Sequence, residues 1–203
     1  MKLGILGGTF DPIHYGHLVV AEECRARLGL DVVLFIPAGQ PPHKRGRIVS
    51  PAEHRVEMVR LAIASNPGFE LSRIEVDRVG PSYTVDTLAR LREEYGPSTR
   101  LYFVVGMDAL AEILTWHQPA RLLSLCQVVA VTRPGFADFD LAALESAIPD
   151  ARRRICVLAA PELRISSSDL RRRVARGLPI KYQVPEPVEE YVYRHGLYRA
   201  GGE

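Results

Sequence analysis

Residues 4–17 read GILGGTFDPIHYGH, a glycine-rich turn that finishes in two histidines. The apolar run KLGIL over residues 2–6 leads into Gly7-Gly8 and suits a buried strand closing on a turn. Beyond an Asp11-Pro12 turn, Leu18, Val19, Ala21, Ala26 and Leu28 recur at helical spacing from His17 to Leu28, and Gly29 supplies a C-terminal stop. Two familiar phosphate motifs fail on this stretch. No lysine follows the glycines as the Walker pattern requires, and Gly4, Gly7 and Gly8 do not match G-x-G-x-x-G.

Working outward, short apolar runs alternate with helical patterns. DVVLFIPAG (31–39), FELSRIEV (69–76), RLYFVVG (100–106), CQVVAVTRPG (126–135) and RICVLAA (154–160) read as strands. Helices are predicted within 50–68, where Ser50 is the expected N-cap, Pro51 the first helical residue and Glu53 the partner in a capping box. Others are predicted within 77–96, 138–149, 166–177 and 185–196. QPPHKRGRIVS (40–50) has no periodicity and reads as an exposed loop. Alternation of this kind predicts an α/β, Rossmann-like, doubly wound and mostly parallel sheet with helices on both faces. Ligands of such sheets sit beyond the carboxyl ends of the strands, where strand order reverses. The chain reads as a single domain over 1–203, since no repeat or linker interrupts it, with a small helical portion at about 166–198.

A chain of 203 residues, 47% of them hydrophobic, buries roughly 70% of its unfolded surface and needs no staples. The formal net charge of +2 argues against nucleic-acid or membrane binding as the main role. Cys24, Cys126 and Cys156 are widely spaced, lack a C-x-x-C pair and read as reduced, mostly buried thiols. No stretch resembles a signal-peptide core or a membrane span, so a cytoplasmic protein is expected. The oligomeric state stays open, a homo-oligomer included.

The opening stretch then needs a chemistry. Free backbone N–H groups at a helix start, and the positive end of its dipole, favour an anion. His14 and His17 share a face if the helix begins early, and their imidazoles would donate to phosphate oxygens. Gly16 between them removes a side chain where a triphosphate needs close approach. Capping or packing is the alternative for either histidine taken singly. A zinc site lacks a third ligand at a recognisable spacing.

GGTFDPIHYGH resembles the signature of the H-x-G-H nucleotidyltransferase superfamily, with the element itself at His14-Tyr15-Gly16-His17. ISSSDLRRR (165–173) resembles its second signature, with Ser166, Ser167, Ser168 and Arg171 in register. PPHK, HRVEMVRLAI, GPSYTVDTL, Gly106-Met107-Asp108, Trp116, RPG and VEEYVYRHGLY narrow the likeness to the bacterial nicotinate-nucleotide adenylyltransferases over nearly the whole chain. That resemblance implies the reaction of ATP with nicotinate mononucleotide to give deamido-NAD and pyrophosphate, a step of NAD biosynthesis, with magnesium.

Transfer of this kind needs alignment of two anions and neutralisation of a departing pyrophosphate, not a general base. The resemblance assigns His14, His17, Lys44 and Arg171 to catalysis. Gly7, Gly8, Thr9, Phe10, Gly16, Gly106, Asp108, Ser166, Ser167 and Ser168 go to ATP. Ser166 to Asp169 also fit a capping box, so that helix start would grip phosphates. By the same resemblance the 166–198 portion completes the ATP site. Lys44 sits in the 38–50 loop, which is expected to close over the substrates. Tyr83, Thr84, Trp116 and Arg133 go to the mononucleotide, with Thr84 the expected N-cap of its helix and Trp116 a flat face for the pyridine ring. Asp108 suits ribose hydroxyls or magnesium. No protein metal ligand is assigned, and the ion is expected to ride on the ATP phosphates.

Three rivals stand beside this reading. One is transfer to another phosphorylated acceptor, such as nicotinamide mononucleotide or phosphopantetheine. Another is a non-catalytic nucleotide-binding protein on the same fold. The last is a nucleic-acid module using ARRRI and LRRRVARG, which near-zero net charge makes poor.

Overall fold

The computed structural model describes residues 1–39, 49–132, 141–161 and 163–199. Lys44 and Arg133, with the prolines of the 38–50 loop, lie outside the described residues.

Six strands form one parallel sheet: β1 (Lys2–Gly8), β2 (Val32–Pro37), β3 (Phe69–Leu71), β4 (Arg100–Gly106), β5 (Gln127–Thr132) and β6 (Ile155–Ala159). Their order is β3-β2-β1-β4-β5-β6, so the chain winds outward from β1 one way, then returns to β4 and winds the other way. The reversal falls between β1 and β4, whose register pairs Leu6 with Val104. The carboxyl ends of these two strands, Gly7-Gly8 and Gly106, therefore flank the crevice where an open α/β sheet takes its ligand.

Period-two alternation sends side chains of one strand to two separate cores. Leu6, Val33, Phe35, Val104 and Val129 pack against α1 (Tyr15–Leu28), α2 (Ala52–Ile63), α7 (Ser167–Ala175) and α8 (Glu186–Arg194). Leu3, Ile5, Leu34, Ile36, Phe103 and Val128 pack against α3 (Thr84–Tyr95), α4 (Met107–Ala111), α5 (Pro119–Leu125) and α6 (Leu141–Ala147). Helices cover both faces, as the alternating pattern predicts.

Local details depart from the sequence reading in four places. Helix α1 begins at Tyr15, two residues ahead of the predicted start. It buries Ala21 and Cys24, with Leu18, Val20 and Leu28 packed alongside, while Ala26 faces solvent. It does end at Gly29, which adopts the left-handed conformation (φ 59°) that a residue without Cβ takes at no steric cost. Helix α2 is capped by Pro51 rather than Ser50 and has no side-chain cap. The Ser50 amide donates instead to Asp11 Oδ2 at 3.3 Å, and Glu53 is drawn into an ion pair with Arg73. Helix α3 is capped by Tyr83, leaving Thr84 as its first helical residue. The strand predicted over 69–76 is only three residues long, because the chain turns after Leu71 at the sheet edge.

Cys24 and Cys126 are buried and Cys156 is partly so, all three as free thiols. Burial pushes the Cys24 and Cys126 thiols up to about 12, which makes them poor nucleophiles. Among the described residues no helix is long and apolar enough to cross a membrane.

Candidate active site

Two cavities open at the switch point. The larger, about 500 Å³, is lined by Gly7, His14, Gly16 and His17 on one side, by Gly106 and Ala109 on another, and by Ser166 and Ser167 on a third. The smaller, about 180 Å³, lies under the start of α3 and is lined by Gly7, Gly8, Glu75, Ser82, Tyr83, Thr84, Thr87 and His117. Gly7, Phe103 and Trp116 border both, so the cavities share a wall.

Helix α1 brings the two histidines together because His14 is its N-cap and His17 its third residue. The rings stack with centroids 3.8 Å apart, and His17 is held edge-on to Phe10 at 5.1 Å. The His14 amide donates to His17 Nδ1 at 3.2 Å. An accepting Nδ1 carries no proton, so neutral His17 is the Nε2–H tautomer. His14 is 6% exposed, and its Nδ1 is buried with no close hydrogen-bond partner among the described residues. Burial lowers its pKa to about 4, so the ring is neutral near pH 7. A Cβ on Gly16 would stand 3.0 Å from His14 Nδ1 and Cε1, so the missing side chain leaves room for the ring. No acidic residue occupies the first turn of α1, whose positive end is thus left to a ligand.

A second helix start faces the same cavity. Ser166 Oγ accepts from the Asp169 amide at 3.2 Å and caps α7. Ser167 Oγ donates to the Pro12 carbonyl at 2.9 Å, fastening α7 to the turn ahead of α1. Arg171 Nη1 donates to the Asp11 carbonyl at 2.6 Å and stands 3.9 Å from the Asp11 carboxyl. That carboxyl is 3% exposed and also accepts from Tyr198 Oη at 2.7 Å. Burial, with Asp11 alongside, pushes the Tyr198 phenol well above its ordinary range, so it stays a donor. Buried Arg55 donates to the carbonyls of Thr9 and Ser50, completing a frame around the turn.

Other expected site residues are placed less uniformly. Gly8 lines the smaller cavity rather than the larger one. Thr9 and Phe10 shape the turn from behind: the Thr9 carbonyl accepts from Arg55, and the Phe10 ring is buried against His17 and Phe35. Asp108 is exposed in the first turn of α4, between Gly106 and Ala109, which line the larger cavity. Ser168 meets Ser166 Oγ at 3.3 Å. Tyr83 stacks on His117 at 4.4 Å above the smaller cavity, and Trp116 meets Phe103 edge-on at 6.0 Å.

Residues 5–173 match the model of the cytidylyltransferase-like family. A "Probable nicotinate-nucleotide adenylyltransferase" of Moorella thermoacetica is 54% identical over 202 residues, covering 98% of this chain and 92% of the relative. A protein of the same name from Roseiflexus sp. is 53% identical, over 97% of this chain and 98% of the relative. The chain belongs to the nicotinate-nucleotide adenylyltransferases. The fold agrees: a Plasmodium falciparum nicotinic acid mononucleotide adenylyltransferase complexed with NaAD superposes with a TM-score of 0.78 over 97% of each chain, at 20% identity.

In this adenylyltransferase several residues in and around the cavities carry no signal in the sequence. Phe103 is half of the shared wall, but in sequence it is one apolar residue in a strand. Asp11 and Tyr198 lie 187 residues apart, and only the fold joins them. Glu75 sat in a stretch read as strand, where a lone acidic residue looks solvated. His117 follows Trp116 directly, and its stacking on Tyr83 has no signal in sequence spacing.

Proposed function

We propose that the protein transfers the adenylyl group of ATP to nicotinate mononucleotide, with ATP in the larger cavity and the pyridine nucleotide in the smaller. The observation that carries this is the shared Phe103–Trp116 wall: two adjoining cavities, one mouthed by helix starts and histidines and one small and mostly apolar, fit two nucleotides about to become one.

The ATP phosphates would lie across the starts of α1 and α7, where the two positive dipole ends converge. The imidazole N–H groups of His17 and neutral His14 donate to phosphate oxygens without forming a covalent intermediate. Arg171, steadied by Asp11, adds fixed positive charge beside the departing pyrophosphate. Lys44 and Arg133 keep the phosphate roles that the family resemblance implies. The segment 166–198 completes the ATP site by supplying α7 and Tyr198. Asp108 would meet ribose hydroxyls or the magnesium ion. The 5′-phosphate of the mononucleotide is an anion at neutral pH and attacks the α-phosphorus directly, so catalysis is alignment and charge stabilisation.

Magnesium fits as an ion carried on the triphosphate. Around the cavity mouth the donor set is imidazole, hydroxyl and backbone N–H, which suits phosphate oxygens rather than a divalent ion. Bound there, the ion would neutralise charge on the leaving phosphates.

For the pyridine end, the first turn of α3 leaves N–H groups of Thr84 and Val85 outside the helical ladder, beside a cavity that Thr84 lines. A carboxylate brings a full charge to that dipole end and a carboxamide does not. Trp116 offers its face to the pyridinium ring. The test is pyrophosphate release from ATP and magnesium, comparing nicotinate mononucleotide with its amide. Strong preference for the acid supports both the reaction and the helix-end account. Equal use of both keeps the reaction and removes that account, and no release with either sinks the transfer reading.

A further inference from the structure

The smaller cavity contains a carboxyl group to which the transfer described above gives no task. Glu75 lines it from the connection between β3 and α3. Thr87 Oγ1 donates to Glu75 Oε1 at 2.8 Å, and the Ser82 hydroxyl and the Gly39 amide stand beside the carboxyl and favour its charged form. These donors come from three separate places: the segment after β2, the loop ahead of α3 and the first turn of α3. Ser82 and Thr87 are themselves buried, so the cluster is built into the fold rather than laid on its surface.

Two further contacts tie Glu75 to the walls of the cavity. The Thr87 hydroxyl also lies 3.4 Å from the carbonyl of Tyr83, the residue that caps α3. Gly39 approaches so closely that a Cβ there would stand 2.2 Å from the Glu75 carbonyl oxygen and 3.1 Å from Ser82 Oγ. Glu75 thus stands between the segment after β2 and the start of α3, both of which contribute to the lining of the cavity through Ala38, Tyr83 and Thr84.

We propose that Glu75 is a specificity-determining positioning residue: by engaging the Gly39 amide, Ser82 and Thr87, it leaves the helix-end N–H groups of α3 to select the pyridine substituent. The proposal rests on the mononucleotide occupying this cavity. Its logic is a matter of donor inventory. Neutral hydroxyl and amide donors favour a carboxylate but also serve a carboxamide oxygen, so releasing them into the cavity would give the amide partners it otherwise lacks and narrow the choice between acid and amide. With those donors engaged, what remains is the dipole end, which discriminates by charge. Burial, the largest influence, raises the carboxyl's pKa, and bonds from Thr87, Ser82 and Gly39 with the nearby charge of Arg78 oppose it.

The test uses the full chain with Glu75→Ala and Glu75→Gln. KM for ATP and for each mononucleotide is measured, and binding is followed separately by fluorescence of Trp116, the sole tryptophan. Thermal unfolding runs alongside. Losing a buried acceptor for several donors should raise the Glu75→Ala KM for the acid roughly tenfold and lower the acid-over-amide ratio by a similar factor, with the ATP KM within about twofold. Glu75→Gln, which still offers a carbonyl oxygen to Thr87 or Ser82, should recover most of the ratio. An unchanged acid-over-amide ratio overturns the proposal, whatever the melting temperature does. So does an equal rise in KM for ATP and the acid. The two readings fail separately: a wild type that binds the acid selectively but releases no pyrophosphate sinks the transfer reading and leaves this one to the binding comparison.

Discussion

His14 offers a stability measurement that reports on an active-site atom without any substrate. Its imidazole is neutral in the folded protein with a pKa of about 4, because burial penalises the cation, while the unfolded chain binds a proton near the ordinary 6.5. The folded-state pKa is depressed, so the unfolded state binds more protons between these values. Stability from this source is therefore fully present above about pH 6.5 and is lost as pH falls toward 4. Each unit of separation corresponds to about 1.4 kcal/mol, so the loss relative to pH 7.5 is about 2 kcal/mol at pH 5 and about 3 kcal/mol at pH 4. For a chain of this size, 2 kcal/mol is a fall of roughly 4–8 °C in melting temperature. Urea unfolding of wild type and His14→Gln at half-unit steps from pH 7.5 to 4 isolates the effect, since other acid-labile groups cancel in the difference. His14→Gln should start less stable or equal at pH 7.5 and lose about 2 kcal/mol less by pH 5. Parallel curves would refute the reasoning, and with it the claim that the ring is buried and neutral. Bound ATP should flatten the wild-type curve, because phosphate charge beside the ring favours its protonated form.

Three further outcomes are expected. His17→Ala should fold with an unchanged circular dichroism spectrum and lose turnover by roughly two orders of magnitude, as loss of an oxyanion donor does; unchanged turnover would remove its phosphate role. Trp116→Ala should raise the KM for both substrates, because the ring borders both cavities, but more for the mononucleotide; equal losses in titrations of each would count against ring stacking. Tyr198→Phe leaves the buried Asp11 carboxyl short of a donor and should cost about 1–3 kcal/mol in urea unfolding. It should also lower kcat through Arg171, and normal stability with normal kcat would show the phenol to be idle.

Much of the architecture was legible because continuous apolar runs and helical spacings are local signals. RLYFVVG became β4 over Arg100–Gly106, and Gly29 ended α1 with the left-handed turn its lack of a side chain suggests. Short elements were missed for the complementary reason. Helices α4 and α5, of five and seven residues, show too few turns for a period to emerge, and α5 starts from Gln118 at φ 51°, an unusual cap. Competition explains Ser50, whose amide is claimed by Asp11 thirty-nine positions away. The paired histidines could be read because both lie on one helical turn. Glu75 could not be, since its neighbours Gly39, Ser82 and Thr87 come together only when the segment after β2 and the start of α3 are folded around one cavity.

The bond from Ser167 Oγ to the Pro12 carbonyl joins positions 155 residues apart. During synthesis on a ribosome, the strands and helices between them can emerge and begin to pack while the phosphate site still lacks one of its two helix starts. A partly made chain would therefore present His14 and His17 without Arg171 or the α7 dipole, and hold ATP poorly. On the proposed placement of ATP, nucleotide capture would be a late event that marks chains whose early and late segments have found each other. A cell containing millimolar ATP would stabilise such chains by mass action and leave stalled or truncated ones to its proteases.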